Sequence, residues 1–386
     1  MQSSPVAAYL QRFAEPGSAE LAEAIGRDYQ HILVIPAYAE PPDFLHQVLA
    51  SIDRELVLTI VVANMPTNAP EAQRAQTQAL LDHCREQDNV LAIDRVCKPL
   101  PPKQGVGLAR KLGSDIATHL IAKGKIRSPW IYQTDADARL PSTYFDPLNQ
   151  TDGALVFAHH HVSDNATLRQ AARLYETHMA WYWQNLAALG SRYAYPSLGS
   201  AMAVHHESYS AVRGFPKRDA GEDFYLLNKI AKVAGVGVDL SRTITVQARM
   251  SSRVPFGTGP ALAQICALLE QDPSGALYRS YHPDAFALLG GALATLRALA
   301  AGEEPPADRA AELLHELGLA KVLGNILRQY SQPTQRQRAL EDWFDGLKTL
   351  RFMHLARRHF PDISILDCAR HNPLIGPIVN PPADPA

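Results

Sequence analysis

Asp135 and Asp137 stand one residue apart in QTDADAR (133–139), directly after the apolar run SPWIY. Carboxylates crowded in this way repel unless something positive lies between them. Two hard oxygen ligands suit Mg2+ or Mn2+, ions that keep several waters and complete their shell with substrate phosphates. A lone DxD is a weak signal, because acidic turns and helix caps contain it often. Its place at the end of a strand favours the metal reading over a solvated turn.

Three further stretches carry chemistry. GFPKRDAGEDFYLLNK (214–229) holds Glu222 and Asp223 at the start of a helix, either complementing the helix dipole or supplying a general base. In QARMSSRVPFGTG (247–259), Arg249 and Arg253 beside Gly257 and Gly259 suit a diphosphate or an anionic acceptor, since guanidinium forks match phosphate and carboxylate. The plainer alternative is a surface loop. In KQGVGLARKLG (103–113), Lys103 and Arg110 face the same choice between reaching phosphates and lying on a helix surface. GVGLAR imitates a dinucleotide loop, but it follows a Pro-Pro-Lys turn and three strands, not the first strand. His159, His160 and His161 alternate faces of a strand, and the structural reading is preferred for each of them and for His205-His206. WYW (181–183) reads as core or cleft lining.

The elements that must position these residues follow a regular rhythm. Strands over 31–40, 56–64, 89–96 and 128–137 alternate with helices over 44–52, 71–86 and 106–124. That alternation predicts an α/β fold, a mostly parallel sheet flanked by helices, with ligands at the carboxyl ends of its strands. After residue 151 come a strand at 153–162, a long helix at 168–189, a strand and turn within 196–216, a helix at 221–235 and a strand pair within 236–259. Beyond about 260 the chain reads as helices, with a proline-rich tail. The expected division is an N-terminal helical extension over 1–30, the α/β domain over 31–260 and a C-terminal α-helical region over 261–386.

The totals narrow the function classes. With 46% apolar and 20% charged residues and a net charge of −2, the chain has the make-up of a soluble globular protein and lacks the basic excess of a nucleic-acid binder. Four scattered cysteines form neither a zinc spacing nor a disulfide framework and read as thiols in a reducing cytoplasm. The N-terminus has no secretory pattern, and the apolar run 285–296 is short of the ~20 residues of a membrane span. A cytoplasmic protein is expected, with peripheral membrane docking and homo-oligomerisation left open.

Taken in order, IPAYAE (35–40), the Ala-Arg pair of the 103–113 helix, the DxD and the Gly-Glu-Asp of 221–223 resemble the nucleotide-sugar glycosyltransferases of the GT-A fold, family 2 type, over roughly residues 31–260. The resemblance implies that Pro36, Ala37, Tyr38 and Glu40 form the nucleotide-contacting turn. It implies Asp135 on the ribose and metal side, Asp137 as ligand to a Mn2+ or Mg2+ bridging the diphosphate, and Asp223 as general base beside Glu222. A sugar then passes from a nucleoside diphosphate to a hydroxyl acceptor, a small molecule or a lipid-linked glycan, with inversion. Two departures stand out. Ala39 replaces the family's Asn, and ANMPTN (63–68) lacks the acidic residue after the second strand, leaving Asn64 to hold the base. No QxxRW motif follows, which argues against a processive synthase. The alternatives are a sugar nucleotidyltransferase, although a glycine- and arginine-rich loop after the first strand is missing, and a non-catalytic nucleotide-sugar-binding protein of the same fold.

Overall fold

HILVIPA forms strand β1 (His31–Ala37). It is followed by β2 (Val57–Pro66), β3 (Val90–Leu100), β4 (Trp130–Gln133), β5 (Ala138–Arg139), β6 (Asp152–Val162), β7 (Met202–His205) and β8 (Gly235–Gln247). In the computed structural model, which describes residues 4–148, 151–250 and 257–371, these eight strands make one sheet in the order β3-β2-β1-β4-β7-β6-β8-β5. β1 pairs parallel with β2 and β4, β2 with β3, and β6 with β8, whereas β7 runs antiparallel between β4 and β6. The sheet is thus mostly parallel, as the strand–helix rhythm predicts. Ile32 through Ile35 are wholly buried, which is why β1 is continuously apolar rather than alternating.

Helices α1 (Pro5–Arg12), α2 (Ser18–Glu23), α3 (Phe44–Val48), α4 (Glu71–Arg85), α5 (Gly105–Ala122), α6 (Ala166–Ala188), α7 (His206–Ala211) and α8 (Glu222–Val233) connect or flank the strands. α5 matters most for the site. Its interior face is partly polar: Asp115, wholly buried, accepts hydrogen bonds from Glu15 N–H (2.7 Å), Tyr209 OH (2.8 Å), Lys111 Nζ (2.9 Å) and Tyr9 OH. The N-terminal segment is therefore clasped to α5 rather than appended to the domain.

Where a strand pair is expected within 236–259, the described residues form one strand, β8. Both ends of β8 pair with β6, and the register skips from Asp239 to Thr243. Asp239 holds the bulge by accepting from Ser241 N–H (2.8 Å) and pairing with Arg242 (3.2 Å), so no hairpin turn is needed.

Two compact units result: Met1–Arg169 with Tyr195–Ala261, and Gln170–Ala194 with Leu262–Ala386. The second is helical, with α9 (Thr258–Gln271), α10 (Pro283–Ala301), α11 (Arg309–Glu316), α12 (Leu319–Gln329), α13 (Pro333–Trp343), α14 (Gly346–Ala356) and α15 (Ile365–His371), and a short ribbon of Arg279–Ser280 with Ile363–Ser364. Residues 170–194, grouped with the sheet by their sequence position, belong with these helices. Trp181 Nε1–H donates to Tyr281 O (2.9 Å) and Arg192 pairs with Asp342 (3.0 Å). Of the WYW run, Trp181 is thus core on this side, and Tyr182 and Trp183 are partly buried. Among the described residues α10 alone has the length and composition of a membrane span. Phe286, Leu289, Ala292 and Leu296 on it are buried.

Candidate active site

The carboxyl ends of β1, β2, β3 and β4 open onto a cleft of about 860 Å³. Of the residues singled out in the sequence, Pro36, Tyr38, Glu40, Asn64, Lys103, Asp135, Asp137 and Arg249 line it. The structure thus brings together residues spread over more than two hundred positions.

The turn after β1 shows why an Asn can be absent at position 39. Ala39 sits at φ +50°, a left-handed conformation that Asn adopts more readily than Ala. Its N–H donates to Thr77 Oγ1 of α4 (3.1 Å), and Thr77 Oγ1 donates to Gln73 O (2.7 Å), so α4 fixes the turn from outside. Tyr38 OH is held by Gln73 in the same way. Ala37 itself points into the core, and its carbonyl accepts from Asn64 Nδ2 (3.3 Å). Asn64 Nδ2 also donates to Val62 O (3.0 Å). Two carbonyls on one nitrogen fix the amide's orientation and leave Oδ1 as a bare acceptor beside the cleft.

Beneath the cleft a buried arginine links the cleft lining to the interior. Arg110, 2% exposed, donates through Nε to Glu222 Oε1 (3.0 Å), through Nη1 to Gln133 Oε1 (3.3 Å) and through Nη2 to Asp135. A Cβ on Gly199 would fall 2.6 Å from Arg110 Nη2, so only glycine leaves room for the fork. Arg110 is therefore neither a phosphate ligand open to the cleft nor a helix-surface charge. It ties the DxD to the helix that carries Glu222. Burial, with the Asp223 charge adding and Arg110 opposing, raises Glu222 to about 7. Asp223, half-buried beside it, is also raised by burial, against the Phe224 N–H that it accepts (2.7 Å) and Arg110. Asp135 is raised by the desolvation of the cleft floor despite Arg110.

At the cleft wall a second arginine spans two carboxylates. Arg249 forks onto Glu40 (Nη1–Oε2 2.8 Å, Nη2–Oε1 2.9 Å) and donates from Nε to Asp137 Oδ2 (2.9 Å). Burial alone would lower its pKa, but the hydrogen bonds to Glu40 and the Asp137 charge outweigh that and hold it above the ordinary arginine value.

Other expectations fall elsewhere. Gly257 and Gly259 do not line the cleft; Gly259 is in the first turn of α9. Arg253 lies outside the described residues. The glycines of GVGLAR serve the protein's own backbone: a Cβ on Gly107 would meet Pro216 O at 2.4 Å, and Gly107 N–H donates to Arg218 O (2.9 Å). That contact brings Asp219, an exposed carboxylate that the sequence reading passed over, to the cleft wall. Its only sequence signal is its place two residues before the Gly-Glu-Asp motif.

Among the described residues no group of three or more His, Cys, Asp or Glu side chains forms a metal cage. Asp135 and Asp137 are two hard oxygen donors on the cleft, a donor type that suits a divalent cation keeping water in its shell.

No protein-family model matches the chain, and no curated protein matches it. Solved structures similar to it include a mannosyltransferase, PcManGT from Pyrobaculum calidifontis, in complex with GDP-Man and Mn2+ (16% identity, 91% of this chain and 94% of that one, TM-score 0.35). Another is S. aureus TarS 1–349 with UDP-GlcNAc (12% identity, 86% and 92%, TM-score 0.38). A third is glucosyl-3-phosphoglycerate synthase from Mycobacterium tuberculosis with Mn2+ and UDP-Glc (16% identity, 69% and 88%, TM-score 0.30).

Proposed function

We propose that this protein is a GT-A-like glycosyltransferase that moves a sugar from a nucleoside diphosphate to a hydroxyl acceptor, non-processively and with inversion. The observation that carries the reading is the convergence of the β1 turn, Asn64, the DxD and the loop before Glu222-Asp223 on one sheet edge. A catalytic cleft in an α/β sheet belongs at that edge.

In this reading the acceptor oxygen attacks the anomeric carbon as the bond to the diphosphate oxygen breaks. The hydroxyl proton passes to Asp223, and the bonding electron pair leaves with the diphosphate. A raised pKa suits that base, because a carboxylate that holds its proton more tightly accepts it more readily. Asp135 and Asp137 would hold a Mn2+ or Mg2+, whose chemistry there is to take up charge on the departing diphosphate. Asn64, with only Oδ1 to offer, favours a base carrying an imino N–H, such as uracil or guanine, over adenine or cytosine, whose matching ring nitrogen is an acceptor.

The test is calorimetric binding of UDP, GDP, ADP and CMP with and without Mn2+, wild type beside Asp137→Ala. Mn2+-dependent binding of UDP or GDP that the variant loses is the expected result. Folded protein that binds none of the four removes the main support for a donor cleft.

A further inference from the structure

Resting on the donor-cleft reading above, we propose that Arg249 and the divalent cation compete for Asp137, so that the cation binds well only together with the nucleotide diphosphate. Arg249 Nε and Nη2 both reach Asp137 Oδ2 and so neutralise the carboxylate to which a cation would bind. Two positive groups cannot share that carboxylate without repelling at contact distance. The Glu40 side of the contact differs. Glu40 is 6% exposed and held by a two-pronged fork, whereas Asp137 is 18% exposed. Breaking a two-pronged contact to the more buried carboxylate is costlier than giving up one oxygen of the more exposed one. Arg249 therefore stays on Glu40 and releases Asp137. Its freed donors are then available to phosphate oxygens, for which a guanidinium is well suited.

The same logic covers Asp135, which already faces Arg110. Without nucleotide, both DxD carboxylates have protein cations, and an added Mn2+ gains little. With nucleotide, the diphosphate offers Arg249 a replacement anion. Nucleotide and cation then strengthen each other's binding by the same factor, as linkage requires.

The experiment titrates Mn2+ alone, read by calorimetry and by the paramagnetic resonance signal of free Mn2+. It compares wild type, Arg249→Gln and the double variant Glu40→Gln/Arg249→Gln, which removes the Glu40 charge together with the guanidinium and guards against misfolding. Wild type is then titrated with UDP and GDP with and without Mn2+. Mn2+ alone should bind at least about tenfold more tightly to both variants than to wild type, the scale set by removing a like charge at a half-buried site. The mutual strengthening of nucleotide and Mn2+ should shrink in the variants. Unchanged or weaker Mn2+ binding in both variants, while wild type binds a nucleotide with Mn2+, overturns the competition and leaves the donor reading standing. Wild type that binds no nucleotide under any condition overturns both.

Discussion

Arg110 and Arg249 do the same electrostatic job in two different solvents. Each holds one aspartate of the DxD and one glutamate from another part of the chain. Arg110 is 2% exposed and Arg249 36%. For the sealed arginine, breaking the pair strands Glu222, itself 6% exposed, where water hardly reaches, while Asp135 stays open to the cleft. For the open one, solvent or a ligand can take over. The contrast teaches that one pair is scaffold and the other is exchangeable, although their hydrogen bonds have similar lengths.

That contrast can be broken most severely at the sealed end. Arg110→Met leaves Glu222 and Asp135 without their cation and should cost about 3–5 kcal/mol of stability, with little rescue by Lys because the fork is lost. Denaturant unfolding reads it directly, and a cost below ~1 kcal/mol would erase the distinction. Next in size, Asp223→Asn should lower kcat at least about a hundredfold with a nearly unchanged melting temperature. Asp219→Asn should do less, and the reverse ranking would move the base role to the exposed carboxylate of the same loop.

A pH series sharpens the comparison further. Folding raises Glu222 from its ordinary 4.5 to about 7. A group raised in this way stabilises fully below its unfolded value and loses that contribution as pH climbs through its folded value. Stability should therefore fall by about 2–3 kcal/mol between pH 4.5 and 7, and Glu222→Gln should flatten the slope. The smallest effect on stability belongs to Glu40→Gln/Arg249→Gln, which removes both charges of a contact whose arginine is 36% exposed and should cost no more than about 1 kcal/mol, so that its consequences appear in ligand binding and not in unfolding.

Much of the positioning frame was legible in the residues themselves. β-branched runs marked β1 and β2 and the apolar WIY marked β4, and the alternation with α4 and α5 dictated where Asp135 and Asp137 emerge. What remained hidden depends on partners far away in the chain. Nothing about Arg110 announces that it meets Glu222 rather than solvent, because the pairing spans 112 positions and needs the gap at Gly199. The β8 bulge was invisible for a similar reason. A polar DLSR reads as a turn, and only the register against β6 shows the strand continuing. α6 misled by proximity, since its aromatic residues find their burial after residue 261.

The clasp on Asp115 has a practical side. A helical segment ahead of the first strand invites trimming, as dispensable leaders are trimmed to aid expression. Here, shortening the chain past Glu15 would remove a hydroxyl and an amide that reach a wholly buried carboxylate, leaving Lys111 and Tyr209 to satisfy it. Such a cut would act as a core lesion inflicted from the chain's end, and it would strike the helix from which Arg110 reaches the cleft floor.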